Sequence, residues 1–199
     1  MTSFEHWSLV IQALGAVGAI AVVVVAIWEG YFRQRLAGPR LRLRLRSSEG
    51  ELTNFSDGTP ARYYHLLAQN TRSWAPTQNV IVFLINLERP GPDGSWQSAM
   101  ATGPIPLSWQ FGKFAPGLPT LGPDRVCDIG RVTRGQGFEV LTPFRPNNFD
   151  GTLRGAGRLR LRFQIVGEHA LSSTLTVEIA WDGQWNDGAK EMARHLVIQ

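Results

Sequence analysis

Hydrophobic and polar positions divide the chain into two regimes. From Trp7 to Trp28, WSLVIQALGAVGAIAVVVVAIW, 22 residues pass without a charge, and Gln12 is the only strongly polar side chain. At about 1.5 Å of rise per residue, such a run predicts a helix of roughly 33 Å, enough to cross a hydrocarbon layer about 30 Å thick. A core helix of this length would carry a polar stripe, and none is present. A cleaved signal peptide fits poorly too. The leading MTSFEH has no Lys or Arg, and Ala26 is followed by Ile27 and Trp28, a poor cleavage context. The pattern therefore predicts a retained transmembrane helix over 7–28, extending as far as 37, after a short outer tail of residues 1–6.

Beyond Gly38-Pro39, which ends the helix, the period changes from a continuous apolar run to strict alternation. Arg40-Leu-Arg-Leu-Arg-Leu-Arg46 predicts a strand with Leu41, Leu43 and Leu45 inward and the arginines outward. Arg158-Leu-Arg-Leu-Arg-Phe-Gln-Ile165 repeats the pattern, with Leu159, Leu161, Phe163 and Ile165 inward. Further strands are predicted at 62–69, 79–87, 107–111, 125–132, 138–142 and 174–181. The nearly continuous hydrophobicity of 79–87 suits a central strand. A short helix is expected at 189–195 and a last strand at 196–198. Many short strands separated by Pro and Gly argue for one all-β domain over 40–199, a sandwich or a small barrel.

Charge alters this picture in one respect. The net charge is +4, but residues 47–199 hold 14 basic and 14 acidic side chains and are neutral. The excess lies in Arg33, Arg35, Arg40, Arg42, Arg44 and Arg46, directly after the apolar run. No basic residue precedes that run, so the positive-inside rule puts the N-terminus outside and the β domain in the cytoplasm, as in a bacterial inner membrane. Trp7 at one end, and Trp28, Tyr31 and Phe32 at the other, suit the headgroup region, with Arg33, Arg35 and Arg40 beside them. Gly15 and Ala19, four apart, form a small-residue pair suited to helix–helix contact. The lone cysteine, Cys127, allows no internal disulfide, which fits a reducing compartment.

One stretch resembles a known family. In HLLAQNTRSWAPTQNVIVFLINL, starting at His65, the residues Asn70-Thr71, Ala75, Asn79, Val80 and Val82 are similar to the strand–turn–strand of bacterial Ig-like modules of the CARDB type, with Arg72 where that family has Gly. Leu121-Gly-Pro-Asp-Arg-Val126 is similar to the family's later Pro-Gly turn leading into a strand, with the order of Gly and Pro reversed. The resemblance implies a seven- or eight-stranded Ig-like β-sandwich used for binding or spacing, without catalysis.

Signatures of chemistry are scarce. There is no G-x-S-x-G, P-loop or dinucleotide fingerprint. Cys127, inside a predicted strand, reads as a buried thiol. His65 and His169 are far apart. Glu191 and His195 stand four apart on the predicted helix, with no third ligand at metal spacing. Asp182 to Gly188 departs from the calcium-loop pattern, and Asp182-Gly183 reads better as a hairpin turn flanked by Trp181 and Trp185. No cofactor or metal is expected.

The arginine ladders leave two readings open. Each ladder is either a solvated face balanced by cross-strand Glu139, Glu168 or Glu178, or an anion-binding face made of Arg42, Arg44, Arg46, Arg158, Arg160 and Arg162. Neighbouring ladders on one sheet would repel one another and call for an anion. Nucleic acid is disfavoured, because leucines rather than aromatics interleave the arginines. The leading expectation is a membrane-anchored binding, sensor or scaffold domain that contacts the lipid bilayer and a protein partner or itself. The alternative is a membrane-acting effector whose β domain binds a small anionic ligand and oligomerises. An enzyme with a site in the loops of 103–123 or 143–157 is the third option.

Overall fold

The computed structural model describes residues 3–32, 36–100, 103–110, 118–122 and 124–199. It divides into two units, Met1–Gly38 and Pro39–Gln199.

In the first unit α1 (Ser3–Ile27) passes into a π-helical turn at Trp28–Phe32, and Leu36 and Ala37 are again helical. Within α1, the 22 residues His6–Ile27 are long and apolar enough to cross a membrane. Every side chain from Val10 to Glu29 is exposed, as an apolar helix without a polar stripe requires if lipid is its solvent. The Trp28 and Phe32 rings stack with centroids 6.2 Å apart. Gly15 and Ala19 sit one turn apart on the exposed helix. Arg33, Arg35 and the Tyr31 side chain, expected at the interface, lie outside the described residues, as do Met1 and Thr2 of the expected outer tail.

The second unit is built of strands in two curled antiparallel sheets. The first sheet orders β1 (Leu41–Leu45), β3 (Pro60–Asn70), β8 (Asp124–Thr133), β9 (Gly137–Val140) and β10 (Thr152–Leu153), with β2 (Glu51–Asn54) also paired to β3. The second orders β13 (Leu196–Ile198), β12 (Ser173–Trp181), β11 (Gly157–Val166), β4 (Thr77–Pro90) and β5 (Trp96–Ser98). Two short strands, β6 (Ile105–Pro106) and β7 (Leu118–Leu121), also pair with β4. A single bridge, Arg40 to Leu171, links the two sheets at one edge, and Trp109 to Cys127 links them at another. The helix α2 (Ala189–His195) stands in the connection from β12 to β13.

Alternation produces the core. In β1, Leu41 and Leu43 are buried while Arg42 and Arg44 are exposed. In β11, Leu159, Leu161, Phe163 and Ile165 are fully buried. These residues join Tyr64, Leu66, Val80, Val82, Ile129, Val177 and others in one hydrophobic cluster drawn from both sheets. The strand expected to be central, β4, pairs with β11 on one side and with β5, β6 and β7 on the other. Burial alternates through Val80, Val82 and Leu84 and then breaks, because the register against β11 slips between Arg162 and Phe163. That bulge lets Leu84 and Leu87, three apart, both be buried.

Several expectations need correction. Residues 107–111 form no strand in their described part: Leu107 is a loop residue, Trp109 stands in an isolated bridge to Cys127, and Phe111 is outside the described residues. The strand expected at 138–142 ends at Val140. The resemblance implies seven or eight strands, whereas 13 are described; the extra ones are mostly two to four residues long. The strand–turn–strand at 65–87 is present, but β3 and β4 enter different sheets, so the turn crosses between sheets rather than closing a hairpin. Asp182-Gly183 is a turn, with Gly183 at φ 90°. The chain then runs through a loop and α2 before β13 returns to pair with β12.

Candidate binding groove on the outer face of the first sheet

The two arginine ladders are in different sheets, β1 in the first and β11 in the second. They therefore do not form one face of seven arginines. On β11, Arg160 donates from Nε and Nη2 to Glu178 Oε1 at 2.9 and 2.7 Å and lies 3.6 Å from Glu88. Arg158 reaches Glu178 Oε2 at 3.3 Å. Both guanidinium groups lie over the Trp96 ring, at 5.2 Å for Arg158 and 4.1 Å for Arg160. The register explains this, since Arg160 faces Glu178 on β12 and Glu88 on β4. Opposite charges in cross-strand positions neutralise the ladder where they stand. Of the acids expected to do so, Glu178 does, Glu139 pairs instead with Arg131, and Glu168 accepts from Asn79. Arg42, Arg44 and Arg162 are exposed on their strands.

The densest polar constellation forms around a bulge in β8. Against β3, Tyr64 pairs with Gly130 and His65 with Asp128, leaving Ile129 as the extra residue. The slip turns both Asp128 and Arg131 to the side away from the core, although they are three apart. Gly130 is needed there: a Cβ would lie 2.5 Å from the Phe138 ring and 2.6 Å from the Glu139 carbonyl oxygen. Along this face Glu51 is opposite Tyr63, His65 opposite Asp128, and Tyr63 opposite Arg131. Arg131 is in turn opposite Glu139. Arg46 joins the row through its N–H, which donates to the His65 carbonyl at 3.0 Å.

At the centre is His65, only 4% exposed. Its Nδ1 lies 2.9 Å from Asp128 Oδ1. A carboxylate only accepts, so the network assigns the ring proton to Nδ1. Nε2 is then an acceptor. It is buried without a hydrogen-bond partner, 3.6 Å from Glu51 Oε2. The other oxygen of Glu51 is 3.1 Å from Arg46 Nη2. Arg46 Nη1 also donates to Gln110 Oε1 at 3.3 Å. Beside His65 the Tyr63 ring stacks at 6.4 Å between centroids. Arg131 sits over the Phe55 and Tyr63 rings at 5.0 and 5.9 Å and donates from Nη1 to the Tyr63 hydroxyl at 3.1 Å. The Tyr63 and Glu139 hydrogen bonds raise the Arg131 pKa further, against burial as the largest opposing influence.

A groove of about 450 Å³ opens over this row, lined by residues 51–55 of β2 and its turn and by Tyr63, His65, Gln110 and Asp128. Among the described residues, its surroundings hold three carboxylates, Glu51, Asp128 and Glu139, and two guanidinium groups, Arg46 and Arg131. The sequence pointed to Arg46 as an outward ladder residue and missed His65, Asp128 and Glu51. One signal was readable: a glycine inside a strand pattern, Gly130, marks a bulge. Which side chains the bulge turns out depends on the partner strand's register, which no local pattern reveals. A second polar pocket, about 410 Å³, lies in the 143–157 region between Arg145, Asn148, Asp150 and Arg154.

Other candidates resolve structurally. His195 pairs through Nδ1 with Asp182 at 2.8 Å rather than with Glu191, and Trp185 Nε1 donates to Asp187 at 2.8 Å. Cys127 is fully buried, and burial, followed by the Asp128 charge, pushes its pKa up. Among the described residues no group of three or more His, Cys, Asp or Glu is arranged to hold a metal ion. No family model matches the chain, and no curated protein matches it.

Proposed function

We propose that this protein is a single-pass, membrane-anchored binding module of a bacterial inner membrane. Its N-terminus is outside and its β domain, an Ig-like sandwich, is in the cytoplasm. It engages a protein partner or a second copy of itself and performs no catalysis.

The observation that carries this reading is the uncharged stretch in α1, His6–Ile27, exposed from Val10 onward and followed within 20 residues by six arginines. An apolar surface of that length left in water would cost roughly 25 cal/mol per Å² exposed, so lipid is its fitting solvent. Two antiparallel sheets sharing one apolar cluster support the sandwich. Non-catalysis is supported by the chain's one thiol being buried and held protonated, and by arginines committed to ion pairs on β11. The groove on the first sheet is the surface offered for binding. The effector reading drew its force from ladders sharing a face, and β1 and β11 stand in separate sheets.

Alkaline carbonate extraction of membranes tests the anchor: the chain stays in the pellet, and release into the supernatant overturns the reading. A reporter fused after Gln199 tests orientation; activity confined to the outer side overturns it. A photo-crosslinking residue at Thr53, exposed and lining the groove, yields one defined adduct in intact membranes. A smear identical to that from Thr176, exposed on β12 of the other sheet and replaced in the same way, refutes the groove as the contact.

A further inference from the structure

Among the described residues, the groove over His65 lacks a donor when the ring proton is on Nδ1. Nδ1 of the imidazole is used by Asp128. Nε2, an acceptor in that tautomer, is buried and unpartnered and faces another acceptor, Glu51 Oε2, at 3.6 Å. Two acceptors confronting one another at that distance repel unless an N–H or O–H lies between them. Among the described residues the formal charges agree, since three carboxylates stand with two guanidinium groups, leaving one positive charge wanting beside the neutral ring. Arg46 already shows how the want is met from one side: it holds Glu51 Oε1 at 3.1 Å and reaches Gln110 at 3.3 Å. Among the described residues, the side of Glu51 toward His65 has no such partner.

We propose that the groove binds a primary ammonium or guanidinium group of a ligand. Its N–H donors serve His65 Nε2 and Glu51 together, and its methylenes lie against the Phe55 and Tyr63 rings that border the groove. Such a group has several donors and no acceptor, which matches a pair of acceptors, and its charge closes the deficit. An anion would meet two carboxylates and an acceptor nitrogen. Glu51 is half-exposed, so an incoming cation exchanges with Arg46 for this carboxylate. The groups facing the ring are Asp128 from β8, Glu51 from β2, Tyr63 from β3 itself and, through Glu51, Arg46 after β1. The ligand's source is either a basic segment of a protein partner or a free polyamine. This inference rests on the binding-module reading for its biological setting, but the groove chemistry does not depend on the anchor.

The test uses the full chain in lipid nanodiscs, titrated with tri-arginine amide, with spermidine and with Mg²⁺, and read from the His65 Cε1–H resonance and by calorimetry. Saturable binding of either organic cation is expected, with little response to Mg²⁺. Glu51→Gln weakens it about tenfold, the scale of one charge-assisted hydrogen bond. Arg46→Ala tightens it by removing the competitor, whereas Arg44→Ala, two residues back on the same exposed side, leaves it unchanged. Tri-arginine alone assigns the site to a protein segment, and spermidine binding equally assigns it to polyamines. An unmoved resonance up to about 10 mM of both, far weaker than any charge-assisted site, overturns the proposal. So does an equal response to Mg²⁺, or Arg44→Ala matching Arg46→Ala. A chain that carbonate releases from membranes yet still binds would sink the anchor and leave this inference standing.

Discussion

Arg62 Nη2 donates to the main-chain oxygen of Asp187 at 2.7 Å, joining positions 125 residues apart. Nη1 donates to the carbonyls of Glu49 and Gly50 at 3.0 and 3.3 Å. The side chain is 2% exposed, so this guanidinium ties the β1–β2 connection and the loop before α2 to β3 through carbonyl dipoles. Removing it strands three acceptors and opens a cavity. Arg62→Ala is expected to lose about 3–5 kcal/mol in urea unfolding. Arg62→Lys, with a shorter reach, recovers a minor part. A loss under about 1 kcal/mol for the alanine variant contradicts this role.

The β11 ladder gives a second expectation. Arg160 and Glu178 are each about a quarter exposed and hydrogen-bonded twice, so solvent screens the pair in part. A double-mutant cycle on Arg160→Ala and Glu178→Ala should return a coupling of about 0.5–1 kcal/mol, shrinking with added salt. Arg162→Ala, on the same strand, should move stability by less than about 0.5 kcal/mol. A coupling of zero at low salt contradicts the neutralised-ladder account.

Gly130 underlies the groove. In Gly130→Ala the new Cβ meets the Phe138 ring and the Glu139 carbonyl oxygen. The bulge must shift, with an expected loss of about 1–3 kcal/mol. The resonance of His65 Nδ1–H, held by Asp128, should broaden or move in the same variant. An unchanged spectrum shows that the bulge does not position the pair.

Cys127 reports on global opening. It is buried in β8 and its thiol is pushed up, first by burial and then by the neighbouring Asp128 charge. Maleimide labelling should be negligible in the native chain at neutral pH and should rise with denaturant along the unfolding curve. Fast labelling without denaturant contradicts the placement of this strand.

Acid should destabilise the β domain through its aspartates. Asp182 is held below the usual carboxylate range chiefly by its hydrogen bond with His195, Asp187 by Trp185 and then Arg134, and Asp150 by Thr152. A carboxyl more acidic in the folded than in the unfolded state contributes stability above its unfolded value. That contribution fades as pH falls through the unfolded and then the folded value. Thermal midpoints should be flat from neutral pH down to about the ordinary aspartate range and fall below it. Asp182→Asn should flatten part of that fall. A midpoint rising on acidification would contradict the sign.

Particular residues show how far the sequence could be read. Leu41, Leu43, Leu159 and Leu161 announce their burial, because a period of two needs only the strand itself. The uncharged run from Trp7 to Trp28 likewise announces a helix by composition and length, and Ala189–His195 and Leu196–Ile198 fall where the pattern puts them. Short strands such as β2, β5 and β10 were invisible, since two to four residues carry no period and form only because a longer neighbour offers its edge. β4 looked central for the right reason, while the bulge that buries Leu84 with Leu87 could not be seen.

Local pattern is enough to set the apolar span, the alternating strands, the neutral charge of the domain and the clustering of excess arginine after the span. These are local properties, set by each residue and its near neighbours. Tertiary structure alone decided that the two ladders stand in different sheets, that Glu178 and Glu88 flank Arg160, and that His65 meets Asp128 with Glu51 beyond. Those relations depend on strand order and register. A single bulged residue, Ile129, shifts register enough to choose which side chains share a face.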